Sequence, residues 1–297
     1  MAKFEVILLG TGSPLPSPDR CGAGQVVVSD GVPVLIDCGW GASRRLMASG
    51  GPLPGIDTVC FTHMHSDHIT DLPDLIIMRW TGGATNPLHI YGPAGTRQMV
   101  EGFRAGLAPD IRYRFAHHGE KLSREGIECV VHEVPATDDV SHVVTVGDLE
   151  VGSFEVDHWP VKPAFGFRVR RNGGSTVVFS GDTKRCDALV RAATGADVLI
   201  SEVVHVEMMM ARVNALKARG DERLAAMLAE ACDYHTSTID AAEMARDAGV
   251  SRLVLTHILP PIASEGPVVE QFVAGMSDVF KGEIVVGRDM QRITIEE

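Results

Sequence analysis

The sequence predicts a layered α/β protein, and two observations carry that prediction. Short apolar, β-rich runs recur through both halves of the chain, with helical-period stretches between many of them. Several neighbouring runs are joined by glycine-containing turns, as in hairpins. Two packed sheets with helices outside suit this pattern. Composition and periodicity leave a doubly wound sheet open as well.

Residues 4–9 read as the first strand, closed by Gly10-Thr11-Gly12-Ser13-Pro14. No Gly-Lys-Ser/Thr opens a helix after those glycines, so they read as a tight turn rather than a phosphate loop. Residues 25–29 and 32–37 form a hairpin around Asp30-Gly31, and 42–49 a short helix. The apolar run Thr58-Val59-Cys60-Phe61 is the next strand. Ile69, Leu72, Leu75, Ile76 and Trp80 repeat with helical period over 69–80, with Pro73 early, where a missing donor matters little. A strand at 88–91 and a helix at 96–107 follow; from 108 to 139 the pattern weakens, and His117 and His118 read as exposed.

Residues 143–156 alternate as a strand pair around Gly147-Asp148, and 165–170 with 176–179 form a hairpin across Asn172-Gly173-Gly174. A helix at 184–194 and a strand at 197–200 lead to Ser201-Glu202. The segment 203–233, helical and interrupted near Gly220, is too long for a simple loop. Its Met208-Met209-Met210 suits either an adaptable pocket or helical packing, and packing is also the reading for Trp159, Phe165 and Phe167. A helix at 239–248, a strand at 252–255 with the exit loop 256–261, a helix at 267–280 and a hairpin at 283–295 complete the chain. No repeat or low-complexity linker divides it, so residues 1–297 are expected to form one domain.

The most informative stretch is Thr62-His63-Met64-His65-Ser66-Asp67-His68, directly after a buried strand. His63 and His65 alternate along extended chain and can share one metal ion. Asp67 and His68 come where the chain turns into a helix, which suits a second, neighbouring cation. Further ligand types recur at predicted strand exits: His158, Asp182 and His257. Taken alone, each histidine reads as a loop residue and Asp182 as a helix N-cap. Together with the knot they supply the seven ligands that two metal ions and a water between them require.

Global properties bound the reading. With 45% hydrophobic and 22% charged residues, the 297-residue chain has an ordinary globular composition. A net charge of −12 works against a large basic surface for a polyanion, though not against a local patch. Six cysteines without CxxC spacing favour free thiols. No signal-peptide pattern and no run of about 18 apolar residues is present, so no membrane is expected and the cytoplasm is the expected compartment.

The HxHxDH knot, with His158, Asp182 and His257, resembles the metallo-β-lactamase-fold hydrolases. Leu9-Gly10-Thr11-Gly12-Ser13-Pro14, Ser180-Gly181-Asp182-Thr183, Ser201-Glu202 and Tyr234-His235-Thr236-Ser237-Thr238 resemble their ribonuclease Z and arylsulfatase-like branch. The resemblance implies a four-layer αββα sandwich, here with a helical insertion near 203–233. It also implies two zinc ions, although iron or manganese suits the same donors. His63, His65 and His158 would hold one ion, and Asp67, His68 and His257 the other, with Asp182 bridging. Asp67 would also orient the attacking water, His235 would act as acid or transition-state stabiliser, and Glu202 would accompany it, although Ser201-Glu202-Val203 departs from the usual His-Glu-Ala. A homodimer is the implied assembly.

Two departures from ribonuclease Z steer the functional expectation. Only residues 159–181 separate His158 from Asp182, leaving no room for that nuclease's long basic arm. His257 is followed by Ile258-Leu259-Pro260-Pro261 instead of a serine-arginine pair. With the acidic charge, these favour a dinuclear zinc hydrolase of small-molecule esters (arylsulfatase-like, phosphodiester or lactone/carboxyl ester) acting through a metal-bridging hydroxide. A ribonuclease Z-like endonuclease for tRNA 3′ ends is the alternative, with nucleic acid counted against. A non-catalytic metal-binding protein is the third reading.

Overall fold

Strands that are apolar on both faces explain the layering in the computed structural model, which describes residues 4–295; the outermost residues of the expected 1–297 domain lie outside that range. In β1 (Phe4–Gly10), Val6 and Leu8 enter one hydrophobic cluster while Ile7 and Leu9 enter another. β1 pairs antiparallel with β2 (Gly24–Ser29), and β2 with β3 (Val32–Ile36). Asp30 and Gly31 between them have φ of 48° and 83°, the left-handed pair that a two-residue hairpin turn demands. After α1 (Ala42–Ala48), the sheet continues in parallel through β4 (Thr58–Cys60), β5 (Leu88–Gly92) and β6 (Cys129–Glu133). α2 (Ser66–Ile69), α3 (Leu72–Thr81) and α4 (Thr96–His118) make the crossovers.

The second half repeats this plan. β7 (Ser141–Val146), β8 (Leu149–Glu155), β9 (Phe165–Arg171) and β10 (Thr176–Phe179) form an antiparallel series. α5 (Asp187–Ala193) then leads to β11 (Val198–Val204), parallel to β10. Three helices follow, α6 (Val206–Ala218), α7 (Glu222–Tyr234) and α8 (Thr238–Ala248), before β12 (Arg252–Leu259). α9 (Pro267–Phe272), α10 (Met276–Val279), β13 (Glu283–Val286) and β14 (Arg292–Thr294) end the described chain.

Two seven-stranded sheets result, ordered β14-β1-β2-β3-β4-β5-β6 and β13-β12-β11-β10-β9-β8-β7. Val6, Val27 and Ile36 of the first meet Val151, Phe167 and Val177 of the second in a central core. Leu46, Leu75 and Trp80 cover the outer face of the first sheet, and Leu189, Met244 and Phe272 that of the second. The architecture is the four-layer αββα sandwich. Met209 and Val213 of α6 pack with Ala225 and Leu228 of α7, so the helical insertion has its own small core. Met208 is half-buried and Met210 only partly exposed, which makes this methionine run mainly packing.

Several local expectations need correction. The helix expected over 69–80 is two: Asp71 accepts from Ser43 N (2.6 Å) and Ser43 Oγ (2.5 Å), and α3 restarts there with Pro73 in its first turn. α4 runs past Leu107 and through Pro109 to His118. Leu107, Ile111 and Phe115 repeat four residues apart there and pack onto the outer core, but Pro109 among them reads in the sequence as a helix breaker. The sequence shows no strand at β6 because its edge position leaves every residue at least partly exposed. Residues 267–280 split at Gly275, and the hairpin expected over 283–295 does not form: β13 extends one sheet and β14 the other. Phe165 and Phe167 are core residues as expected, whereas Trp159 is 70% exposed. Among the described residues no helix is long and apolar enough to cross a membrane.

Candidate metal centre

The centre is built where the C-terminal ends of β3 and β4 face the second sheet. Asp37, directly after β3, has φ 57°, and its carboxylate organises the knot. Oδ1 accepts the Thr62 amide (2.8 Å); Oδ2 accepts Thr62 Oγ1 (2.8 Å) and lies 2.8 Å from His68 Nδ1. That last contact turns His68 Nε2 toward Asp182 Oδ2, 3.4 Å away. His63 Nδ1 is 3.0 Å from Thr62 Oγ1, leaving its Nε2 to face His65 Nδ1 at 3.0 Å. Asp67 follows in the first turn of α2. Sequence reading took Asp37 only for a strand end. The signal was there, since an acid at the exit of an apolar strand is the placement that singled out the other site residues.

The second sheet supplies its residues one at a time. His158, beyond β8, places Nε2 3.5 Å from His65 Nδ1, while its Nδ1 lies 3.2 Å from the Tyr234 carbonyl. Asp182 follows β10, and its Oδ2 lies 3.3–3.9 Å from a nitrogen of His257, His68, His63 and His158. It is not a helix N-cap, because α5 starts only at Asp187. His257 Nε2 is 3.1 Å from Asp67 Oδ2.

His257 is not in an exit loop, as the sequence suggested. It sits inside β12 at a bulge: Thr256 pairs with Glu202 and Ile258 with Val203, so His257 is skipped, with φ 47°. The Ile258 amide is caught by the Thr11 carbonyl at 2.9 Å, which brings the glycine turn after β1 beside the site. Buried Arg20 and Asp289 both bond Thr11 and so brace that turn.

Glu202 likewise lies within β11 rather than at its exit. Its Oε1 accepts the amides of Thr236 (2.8 Å) and Thr183 (3.2 Å), and Oε2 is 3.1 Å from His235 Nδ1, out of line for a hydrogen bond. Burial alone would make His235 less basic, but the charges of Glu202, Asp182 and Asp67 outweigh it and raise its pKa above the usual value.

All seven expected ligands converge. Donor atoms of His63, His65, His158 and Asp182 lie within 4.8 Å of one another, as do those of Asp67, His68 and His257. Asp182, His235 and His257 form a third such group. Only His65 is exposed among these residues, so the centre opens on its side.

A cation fits the chemistry of this set. His68 Nε2 and Asp182 Oδ1 are buried with no hydrogen-bond partner, an arrangement costing about 1–3 kcal/mol per atom without compensation. Burial, reinforced by neighbouring imidazoles, holds His63 well below the usual histidine range and also lowers His65 and His158, favouring the neutral form a metal needs. Burial opposes ionisation of Asp182, yet His257, His68 and His63 pull its pKa well down. Imidazoles with carboxylates suit zinc, iron or manganese.

Comparison with known proteins agrees with this geometry. Residues 33–258 match the beta-lactamase superfamily domain. A ribonuclease Z of Mycobacterium bovis (strain BCG / Pasteur 1173P2) is 39% identical over 299 residues, covering 98% of both chains. One of Mycobacterium avium (strain 104) is 38% identical over 300 residues, covering 99% of both. Among solved structures, the metallo-beta-lactamase fold protein YhfI from Bacillus subtilis superposes with TM-score 0.70 at 20% identity, covering 98% of this chain and 99% of that one. The short form of human tRNase Z gives 0.68 at 25% identity, covering 99% and 100%.

These relatives overturn two expectations, the small-molecule ester substrate and the argument against nucleic acid. Chains of matching length carry a nuclease's name, so a missing arm does not separate this chain from them. Net charge failed as a criterion because it sums over the whole surface, whereas binding depends on local charge and shape. The chain belongs to the metallo-β-lactamase superfamily, in the branch that contains ribonuclease Z, and is a metal-dependent hydrolase of ester bonds.

Proposed function

We propose that this protein is an endoribonuclease of the ribonuclease Z type, cutting a phosphodiester bond at the 3′ end of precursor tRNA. The observation that carries this reading is likeness to chains of that name along 98% of both lengths. His63, His65 and His158 would hold one divalent ion and Asp67, His68 and His257 a second, with Asp182 serving both; zinc is the proposed metal. Ions held there acidify water and offset charge on the phosphoryl oxygens. Asp67 would orient the attacking water, whose oxygen bonds to phosphorus as its proton passes to solvent; the phosphorus–oxygen bond to the leaving strand breaks, and His235 would give its proton to the leaving oxygen. Glu202, anchored by two main-chain amides, favours the protonated form of His235 that such a transfer needs. Six free cysteines fit the reducing cytoplasm as its compartment.

The test is cleavage of a precursor tRNA carrying a 3′ trailer by zinc-loaded protein. One endonucleolytic cut, lost with a chelator and restored by metal, is the expected result. An intact precursor under conditions where the protein holds its metal would overturn the proposal.

A further inference from the structure

Trp159 stands out as the most exposed of the large hydrophobic side chains among the described residues, at 70%. Trp80, by contrast, is buried under the first sheet, with Nε1 donating to the Ser123 carbonyl. An indole left in water contributes little to the fold, since its stabilisation scales with the apolar area removed from solvent. Its position is nevertheless fixed. Trp159 and Pro160 form the tip of a turn closed by Val161 N donating to His158 O at 2.8 Å. The turn's base is held by Lys184 N donating to Asp157 O at 3.0 Å. The residue that carries the exposed indole is therefore the chain neighbour of His158, a proposed metal ligand, and both line the same groove.

The surroundings indicate what that indole meets. A groove beside it, of about 330 Å³, is lined by Trp159, Val161 and Ala188 and by the acids Asp138, Glu155 and Asp157. Those carboxylates repel phosphate, so the groove suits the uncharged face of a base rather than the backbone. Lys162 and Lys184, two of the chain's six lysines, stand at the rim, 3.3 Å from Glu155 and 3.1 Å from Asp157. Exposed pairs of this kind are weak and re-form readily with a passing phosphate. Tyr234 is the other aromatic near His158. Its ring already lies 4.8 Å from that of His235 and 5.5 Å from that of His158, whereas Trp159 has no ring neighbour among the described residues.

We propose that Trp159 is a substrate-binding residue, a platform on which an unpaired nucleobase beside the scissile bond of the RNA stacks, with Lys162 and Lys184 facing the flanking backbone. Aromatic platforms of this type bind unpaired bases with little sequence demand. The proposal rests on the ribonuclease reading above.

The experiment compares wild type, Trp159→Ala and Trp159→Phe on precursor tRNA and on the same RNA made abasic at the nucleotides beside the scissile bond, which leaves the platform nothing to stack. Trp159→Ala should raise KM for the intact RNA about 5- to 150-fold, with kcat nearly unchanged, and should cost nothing on the abasic RNA, where wild type is already as weak. Trp159→Phe should recover most of the RNA affinity. Bound RNA should quench part of the tryptophan emission, and that part should be missing in Trp159→Phe. Wild-type KM for RNA in Trp159→Ala would sink the stacking role while leaving the nuclease reading intact. Wild-type protein that hydrolyses bis(4-nitrophenyl) phosphate but leaves precursor tRNA whole would remove both.

Discussion

The two sheets contribute to the metal centre in opposite ways. The first delivers His63, His65, Asp67 and His68 from one loop, oriented as a unit by Asp37 and Thr62. The second delivers His158, Asp182, Glu202, His235 and His257 singly, from five places between β8 and β12. At the centre itself each sheet places one non-glycine residue in left-handed backbone, Asp37 at 57° and His257 at 47°. Conformations of this kind persist only where surrounding bonds over-determine them. On the first side those bonds are Asp37's own. On the second they come from elsewhere, through the Thr11 carbonyl on the Ile258 amide. A contiguous ligand loop carries its own support, whereas scattered ligands depend on the packing of the whole sheet edge.

Substitutions on the two sides should separate metal holding from chemistry. The largest effect is expected for His63→Ala, which removes a donor at the heart of the first side: bound zinc, read by atomic absorption, and RNA cleavage should vanish together. Undiminished zinc content would refute its assignment as a ligand. His235→Ala, on the second side, should keep its metal yet lose about 10²–10⁴ in kcat. Near-wild-type turnover would remove His235 from the mechanism.

Asp37→Ala frees the His68 ring and the Thr62 amide, and should weaken metal affinity by about 10- to 100-fold in a competition titration with a chelator. A wild-type affinity would mean that the loop orients itself. Glu202→Gln retains an oxygen for the two amides but removes the charge facing His235. About a tenfold loss in kcat is expected, with metal content unchanged; equal loss of metal and activity would show that Glu202 acts through folding instead.

Legibility in the sequence follows the same division. The knot was readable because its ligands lie within six residues and alternate in a way extended chain converts directly into geometry. Strands with apolar residues on both faces, such as β1 and β11, announced burial on both faces and hence a layered fold. The far half of α4 is hidden in the sequence by Pro109, which reads as a breaker, and the edge strand β6 by its partial exposure. The substrate class was misjudged because net charge and a missing insertion are properties of the whole chain, whereas recognition is local.

By itself, then, the sequence determined the local matter: strand and helix periods, hairpin turns and a contiguous set of metal donors, each arising from neighbours along the chain. Tertiary structure alone decided that β13 and β14 join different sheets, that a bulge in β12 turns His257 toward Asp67, and that Asp37 clamps His68. It also left Trp159 in solvent beside His158, where its composition had suggested packing. These outcomes depend on contacts between residues far apart in sequence. Local preference is nearly silent about such contacts, because their energies arise only once the two sheets have closed on each other.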